Sequence, residues 1–421
     1  MKVLQINAVD DVGSTGTVIS DIQDVCIRNG IECHIAYSVT RRHKSDIING
    51  YHIGNWFDHK LHALLSRVFR KQAYFSTIPT WLFLRYVDRI KPDVVHLHNL
   101  HANYINLNML LRYLAKRDIA TVVTLHDNWF FTGGCYLPEL DSCTKWQKDC
   151  SNCIYNKKGY NRFLANTSEK ILCDRNFYFN AIPRLFVVGV SKWMSGEARK
   201  SIFGNAHIST IRNGVRTEVF YPMPSNARKQ IRLKYGFRDS DFVILAPASK
   251  WLNIRNRQGL QTIIDNLNED EKILLYGCKK EEIAMSRSIA KVTAIPFISN
   301  KAVLSTVYSM ADVFINCTHM DTCSFVNIEC QACGTPVITF DNTGAAETVD
   351  NVTSFSVPTD DYMGIVTKIS EIKNKRYNTI EYIRSNFTME KNYNLYISLY
   401  RKIINSQQYL ETPQKAHLTM K

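Results

Sequence analysis

Apolar residues along this chain recur in two rhythms, short unbroken runs and longer stretches with an apolar position every three or four residues, and the two alternate. The run Lys2-Val-Leu-Gln-Ile-Asn7 predicts a first buried strand, and Val18, Ile19, Ile22 and Val25 predict a helix after it. Further strands are predicted at Glu32 to Tyr37, at the run after Lys91 that ends near His98, at the run from Ala120 that ends at His126 and Asp127, and at the run from Leu185 that ends at Ser191. The same alternation restarts at Phe242 to Ala246 and continues through Glu271 to Gly277, Val292 to Phe297, Ala311 to Asn316 and Val337 to Phe340, with helices at Lys301 to Met310 and Ser324 to Cys333. Strand and helix in strict alternation predict an α/β chain with two doubly wound parallel sheets.

The boundary is expected between about 202 and 210. That gives an N-terminal domain over 1–205 and a C-terminal domain over 206–386. From Phe387 to about 406, Tyr393, Leu395, Tyr396, Leu399 and Tyr400 stand at helical spacing, which suits a helix crossing back onto the first domain. The polar stretch 407–421 is expected to be disordered.

A length of 421 residues with 45% hydrophobic and 11% aromatic residues can build both cores. No apolar run approaches the roughly 20 residues of a membrane span, and no signal peptide is evident, so the expected location is the cytoplasm. The net charge of +14 is concentrated in the N-terminal half. There, Arg67, Arg70 and Lys71 beside Phe69, Tyr74 and Phe75 would suit an anionic membrane surface, or simply a solvated helix face. A basic chain with clustered cysteines would also suit nucleic acid, but two α/β domains with a paired-acid site fit that poorly.

The paired acids are Asp321 and Glu329, in Asp321-Thr-Cys-Ser-Phe-Val-Asn-Ile-Glu329-Cys-Gln-Ala-Cys-Gly334-Thr-Pro336-Val-Ile. The pattern places Asp321 in a loop and Glu329 inside the helix that follows, so the free amides around Cys323, Ser324 and Phe325 lie beside Asp321. Gly334 and Pro336 end the helix and deliver a strand. A diphosphate at the helix N-terminus, with carboxylates reaching sugar hydroxyls, fits such a site.

The segment Gly13-Ser14-Thr15-Gly16 predicts a loop whose amides could approach a phosphate, although tight-turn glycines explain it equally well. His98 and His126, at carboxyl ends of predicted strands, fall where ligands bind in open parallel sheets, with Asp127 adjacent. Cys135-x7-Cys143-x6-Cys150-x2-Cys153 reads as a structural zinc site of four thiolates, or as four packed or free thiols.

The acid pair with Ala332-Cys-Gly-Thr-Pro-Val-Ile338 resembles the donor-site signature of retaining GT-B glycosyltransferases of family 4. The likeness extends to Asn213-Gly214-Val215 before Phe220 at the entry to the second domain, and to Gly259 after a basic loop. His126-Asp-x-Trp-x-Phe-Thr-Gly-x-Cys135 with trailing cysteines resembles members from bacterial colanic-acid, O-antigen and capsular polysaccharide clusters.

The resemblance implies two Rossmann-like domains facing a cleft and retaining transfer of a hexose from a UDP- or GDP-sugar, with no catalytic metal. The implied acceptor is an undecaprenyl-diphosphate-linked saccharide at the inner membrane face. It implies Glu329 on the ribose, Asp321 and His126 on the sugar, His98 and Asp127 on the acceptor side, and Ser249 and Gly277 beside the nucleotide. The family's Arg-x-x-Lys-Gly becomes Arg255-Asn-Arg257-Gln258-Gly259, so the cation at the diphosphate would be Lys250, Arg255 or Arg257, unranked. A nucleotide-sugar epimerase, a phosphorylase or a non-catalytic relative would share this architecture.

Overall fold

The structure, a computed structural model, describes residues 1–43, 46–153, 167–248, 257–375 and 377–405. These form two compact units: Met1–Gly189 with Ser195–Ile211 and the stretch from Tyr393, and Val190–Met194 with Arg212–Asn392.

The first unit is built on strands β1 (Lys2–Ile6), β2 (Glu32–Tyr37), β3 (Gly50–His52), β4 (Val94–Leu97), β5 (Ala120–Leu125), β6 (Leu185–Gly189) and β7 (His207–Thr210). They lie parallel in the order β3-β2-β1-β4-β5-β6-β7. The second unit carries β8 (Phe242–Pro247), β9 (Glu271–Cys278), β10 (Val292–Pro296), β11 (Val313–Asn316), β12 (Val337–Phe340) and β13 (Phe355–Val357). Their order, β10-β9-β8-β11-β12-β13, repeats the same logic.

Both sheets reverse strand order once, between β1 and β4 and between β8 and β11, and the crevice outside the carboxyl ends at such a point is where open α/β sheets bind ligands. Helices cover both faces of parallel strands, which explains the unbroken apolar runs: Val94 to Leu97 and Val337 to Phe340 are buried throughout.

Three expectations need correction. Gly13 to Gly16 form no separate loop, because the helix Gly13–Arg28 starts at Gly13 itself. Asp11 and Gly13 take left-handed φ of 50° and 64° to make the entry, and a Cβ on Gly16 would stand 2.9 Å from the Asp11 amide nitrogen. The first helical turn therefore lies directly on the strand exit. The helix expected from Phe387 begins at Met389 and runs to Asn405, preceded by a separate helix Ile380–Asn386. The strand expected from Ala311 begins at Val313.

Asn213-Gly214-Val215 has a packing role inside the second unit. A Cβ on Gly214 would lie 2.5 Å from the Met389 Cα, and the Val215 amide and carbonyl pair with Phe387 and Met389. The Asn392 side chain donates to the Asn213 carbonyl at 3.0 Å.

Candidate functional site

In the second unit, the helix Phe325–Ala332 follows β11 at the switch point, with Ser324 at its N-cap and no side-chain cap on its first amides. Ser324 is otherwise engaged: its hydroxyl accepts from Asn316 Nδ2 at 3.0 Å. The same Asn316 amide donates to Asn327 Oδ1 at 2.8 Å, Asn327 Nδ2 donates to Thr348, and Gln331 Nε2 donates to the Asn327 and Thr348 carbonyls. This buried chain fixes the helix against the sheet, since buried polar groups left unmade cost about 1–3 kcal/mol each.

Asp321 stands in the loop, its Oδ1 accepting from the Cys323 amide at 3.2 Å, while its own amide and carbonyl both bond Thr343 Oγ1. Gly344 makes room for this loop, because a Cβ there would meet the Thr322 carbonyl oxygen at 1.8 Å. Glu329 lies a turn inside the helix and accepts from the Tyr308 hydroxyl at 3.2 Å. Burial pushes its carboxyl up to about 7, against the opposing pull of Tyr308 and Lys301. The structure thus brings Asp321, Cys323, Ser324, Phe325 and Glu329 together around one helix end. Gly277, with φ of 81°, lies near the end of β9 in the same unit.

Ser249, Lys250 and Arg255 lie outside the described residues, and Arg257 opens the helix Arg257–Asp265. Gly259 is pressed against the Tyr362 ring, where a Cβ would come within 2.0 Å. Gln258 lines a cavity of about 600 Å³ with Thr262, His319, Asp360 and Tyr362.

In the first unit, a relay of imidazoles crosses the strand ends. His96 is held by Tyr400 OH at 2.6 Å and Thr124 Oγ1 at 2.7 Å, a structural role. His98 spans Gln5 Oε1 and His126 Nε2, each at 3.1 Å. Gln5 donates through Nε2 to the Ile19 carbonyl and to Cys33 Sγ, so its Oε1 accepts and His98 Nε2 carries the proton. A neutral His98 then accepts at Nδ1 from His126 Nε2–H, which leaves Nδ1 of His126 as a lone pair.

Burial holds His126 down at about 4, with Asp127 opposing and His101 adding to the shift. Burial also keeps His98 well below its ordinary value, reinforced by His96 and His126. Asp127 accepts from His101 Nε2 at 2.9 Å and from the Trp129 amide at 2.8 Å, so it orients the loop after β5.

Behind that loop the fully buried Arg175 stacks on Trp129 at 3.8 Å and donates to the Trp129 and Thr132 carbonyls. Beside it opens a cavity of about 660 Å³ lined by Arg67, Arg70, Gln72, Asn103 and Tyr136 among others.

Sequence reasoning passed over Gln5, Asn316, Asn327, Gln331 and Arg175. Each is a polar side chain inside an apolar pattern, and for Asn327 and Gln331 the four-residue spacing on the inner helix face was the available signal.

Residues 15–219 match the model described as Glycosyltransferase Family 4, and residues 251–374 match that described as Glycosyl transferases group 1. Over 228 residues the chain is 23% identical to the Escherichia coli (strain K12) protein named as colanic acid biosynthesis glycosyl transferase WcaC. That stretch is 51% of this chain and 55% of the relative, so the chain spans about half the length of the curated relative it matches.

Among solved structures, sucrose-phosphate synthase from Thermosynechococcus elongatus superposes with a TM-score of 0.66 at 16% identity, covering 96% of this chain and 98% of the other. HepE from Anabaena, crystallised with UDP and glucose, gives 0.63 at 14% identity over 95% and 99%. With family models matching both of its halves and two doubly wound sheets of like order, the chain belongs to glycosyltransferase family 4, on the GT-B fold.

Proposed function

We propose that this protein is a retaining hexosyltransferase that takes a sugar from a nucleoside diphosphate and passes it to a lipid-diphosphate-linked saccharide in bacterial surface polysaccharide synthesis. The observation that carries the reading is the uncapped N-terminus of Phe325–Ala332, with Asp321 before it and Glu329 inside it, at the switch point of the second sheet. Amides and dipole at such an end favour a diphosphate, and they favour it more as charge builds on the leaving group. Glu329 takes the ribose, Asp321 and His126 hold the hexose, and Lys250, Arg255 or Arg257 supply the cation. The relatives named for colanic acid synthesis and crystallised with UDP and glucose support the substrate class.

A thermal-shift screen against UDP, GDP and their sugar conjugates tests the donor. A ligand at a hundredfold over its Kd adds about 2.7 kcal/mol of stability, and silence from every nucleotide would leave the acid pair a structural feature. A nucleotide-sugar converted without any acceptor would point to an epimerase instead.

Glu329→Ala is expected to weaken the binding nucleotide by about tenfold or more, the value of a hydrogen bond to a charged group. Because the buried carboxyl stays partly protonated near pH 7 and only its ionised form accepts two ribose hydroxyls, wild-type affinity should rise as pH climbs through about 7. Titration calorimetry of Glu329→Gln should lose that rise.

The acceptor side is proposed to meet a membrane. No described helix is long and apolar enough to cross one. Yet the helices Trp56–Phe69 and Thr77–Ile90 expose Trp56 at 72%, Phe57 at 66% and Ile78 at 71%, with Lys60 over the Trp56 ring and Arg85 over Trp81. Exposed aromatic rings paired with cations suit an anionic lipid surface. The full chain should sediment with anionic vesicles in low salt and not with neutral ones, and Trp56→Ser with Phe57→Ser should abolish it. Equal recovery with both vesicle types would remove the membrane from this reading.

A further inference from the structure

We infer that Cys135, Cys143, Cys150 and Cys153 form a structural zinc site that clasps the segment following β5. The four thiols come from a stretch whose only regular structure is two short turns, Pro138–Asp141 and Lys145–Gln147, yet all four line one small cavity of about 10 Å³ beside Trp146. That is room for a single water or ion. Cys135 and Cys153 are hydrogen-bonded thiol to thiol across it, and the Gly133 amide donates to Cys150 Sγ at 3.3 Å, the contact that stabilises a thiolate.

The Cys150-x2-Cys153 end has the shape of a metal knuckle. Cys150 and Asn152 both take left-handed φ, 55° and 47°, and the Lys145 carbonyl accepts from three successive amides at Lys148, Asp149 and Cys150. Such turns aim two side chains at one point. All four cysteines are free of disulfides.

As the side chains stand, no group of three or more His, Cys, Asp or Glu among the described residues forms a ready metal shell. Zinc is the ion for four thiolates at a closed site in a protein with no redox task assigned to that loop.

The consequence is positional. Trp146 packs on Phe131 at 5.0 Å, in the turn Trp129–Phe131 that starts two residues after Asp127, so the clasp steadies the strand end carrying His126. Irregular segments of this length rarely hold one conformation unaided.

The test is elemental analysis of the full chain purified under reducing conditions, with about one zinc per chain expected. Cys150→Ser and Cys153→Ser should lose the metal, and Cys173→Ser, an exposed cysteine elsewhere, should keep it. Because the first two variants could fail to fold, the wild-type protein would also be stripped with chelator and refilled with cobalt. The intense visible spectrum of tetrahedral thiolate cobalt supports the site, as does reversible protease sensitivity confined to residues 132–153. Folded protein with no metal, bound iron, a disulfide among these four in the mass spectrum, or cobalt without thiolate bands would each overturn it.

Discussion

Replacing His126 by alanine is expected to lower kcat by about a hundredfold or more while leaving the thermal shift given by the nucleotide unchanged, the size of loss seen when a positioned reacting group is misplaced. The split follows from where the residues lie. His126 ends β5 of the first unit, whereas the helix end and Glu329 that would take the nucleotide belong to the second.

Tautomer matters as well as presence. The chain from Gln5 through His98 leaves His126 neutral with its Nε2 proton committed to His98, so the relay sets the tautomer in which the proposed sugar-positioning group is held. Gln5→Leu should therefore reduce kcat by breaking the relay while the nucleotide shift persists, and Gln5→Glu should recover part of it because a carboxylate still accepts from His98 Nε2–H. Single-turnover kinetics with saturating donor would make the comparison. Equal kcat in His126→Ala would remove the residue from the reaction.

Acidification should destabilise the first unit. His96, His98 and His126 are all buried and held below their ordinary pKa, His126 down to about 4. In the unfolded chain each titrates near 6.5. Between those limits the unfolded state binds protons that the native state refuses, so stability is complete above about pH 6.5 and is lost as pH falls.

Each refused proton is worth at most about 1.4 kcal/mol per pH unit, and Glu139, whose carboxyl burial pushes up to about 7, opposes the loss in the same window. Denaturant melts from pH 7 to pH 4.5 would measure it. His96→Phe should lower stability overall yet flatten the slope, and an unchanged slope would mean that His96 takes up no proton on unfolding.

Much of this architecture was open to reading without coordinates because its signals are local. Parallel strands covered on both faces must be apolar along their whole length, so β1, β4, β5, β8, β11 and β12 declared themselves as runs. The helix between Asp321 and Gly334 declared itself by period, punctuation and a C-terminal glycine, which takes φ of 83°. Where the reading missed, the cause was equally specific. Gly13 to Gly16 look like a loop, but glycine tolerates both states, and the close approach of Gly16 to Asp11 that places the helix start is a contact between residues five apart with no periodic trace.

The sequence by itself determined the two sheets, the positions of their strand ends, and hence the chemistry that could be offered there: a carboxylate pair about a helix N-terminus and histidines after β4 and β5. Only the tertiary structure decided the state of those groups. Burial lifts Glu329 towards 7 and keeps His126 neutral, and Gln5, Cys33 and Ile19, brought together from three elements, fix which nitrogen carries the proton. Residue identity and order set what a strand end carries, because the chain direction puts it there. Desolvation and hydrogen-bond partners are sums over neighbours distant in sequence, and they exist only once the sheets are assembled.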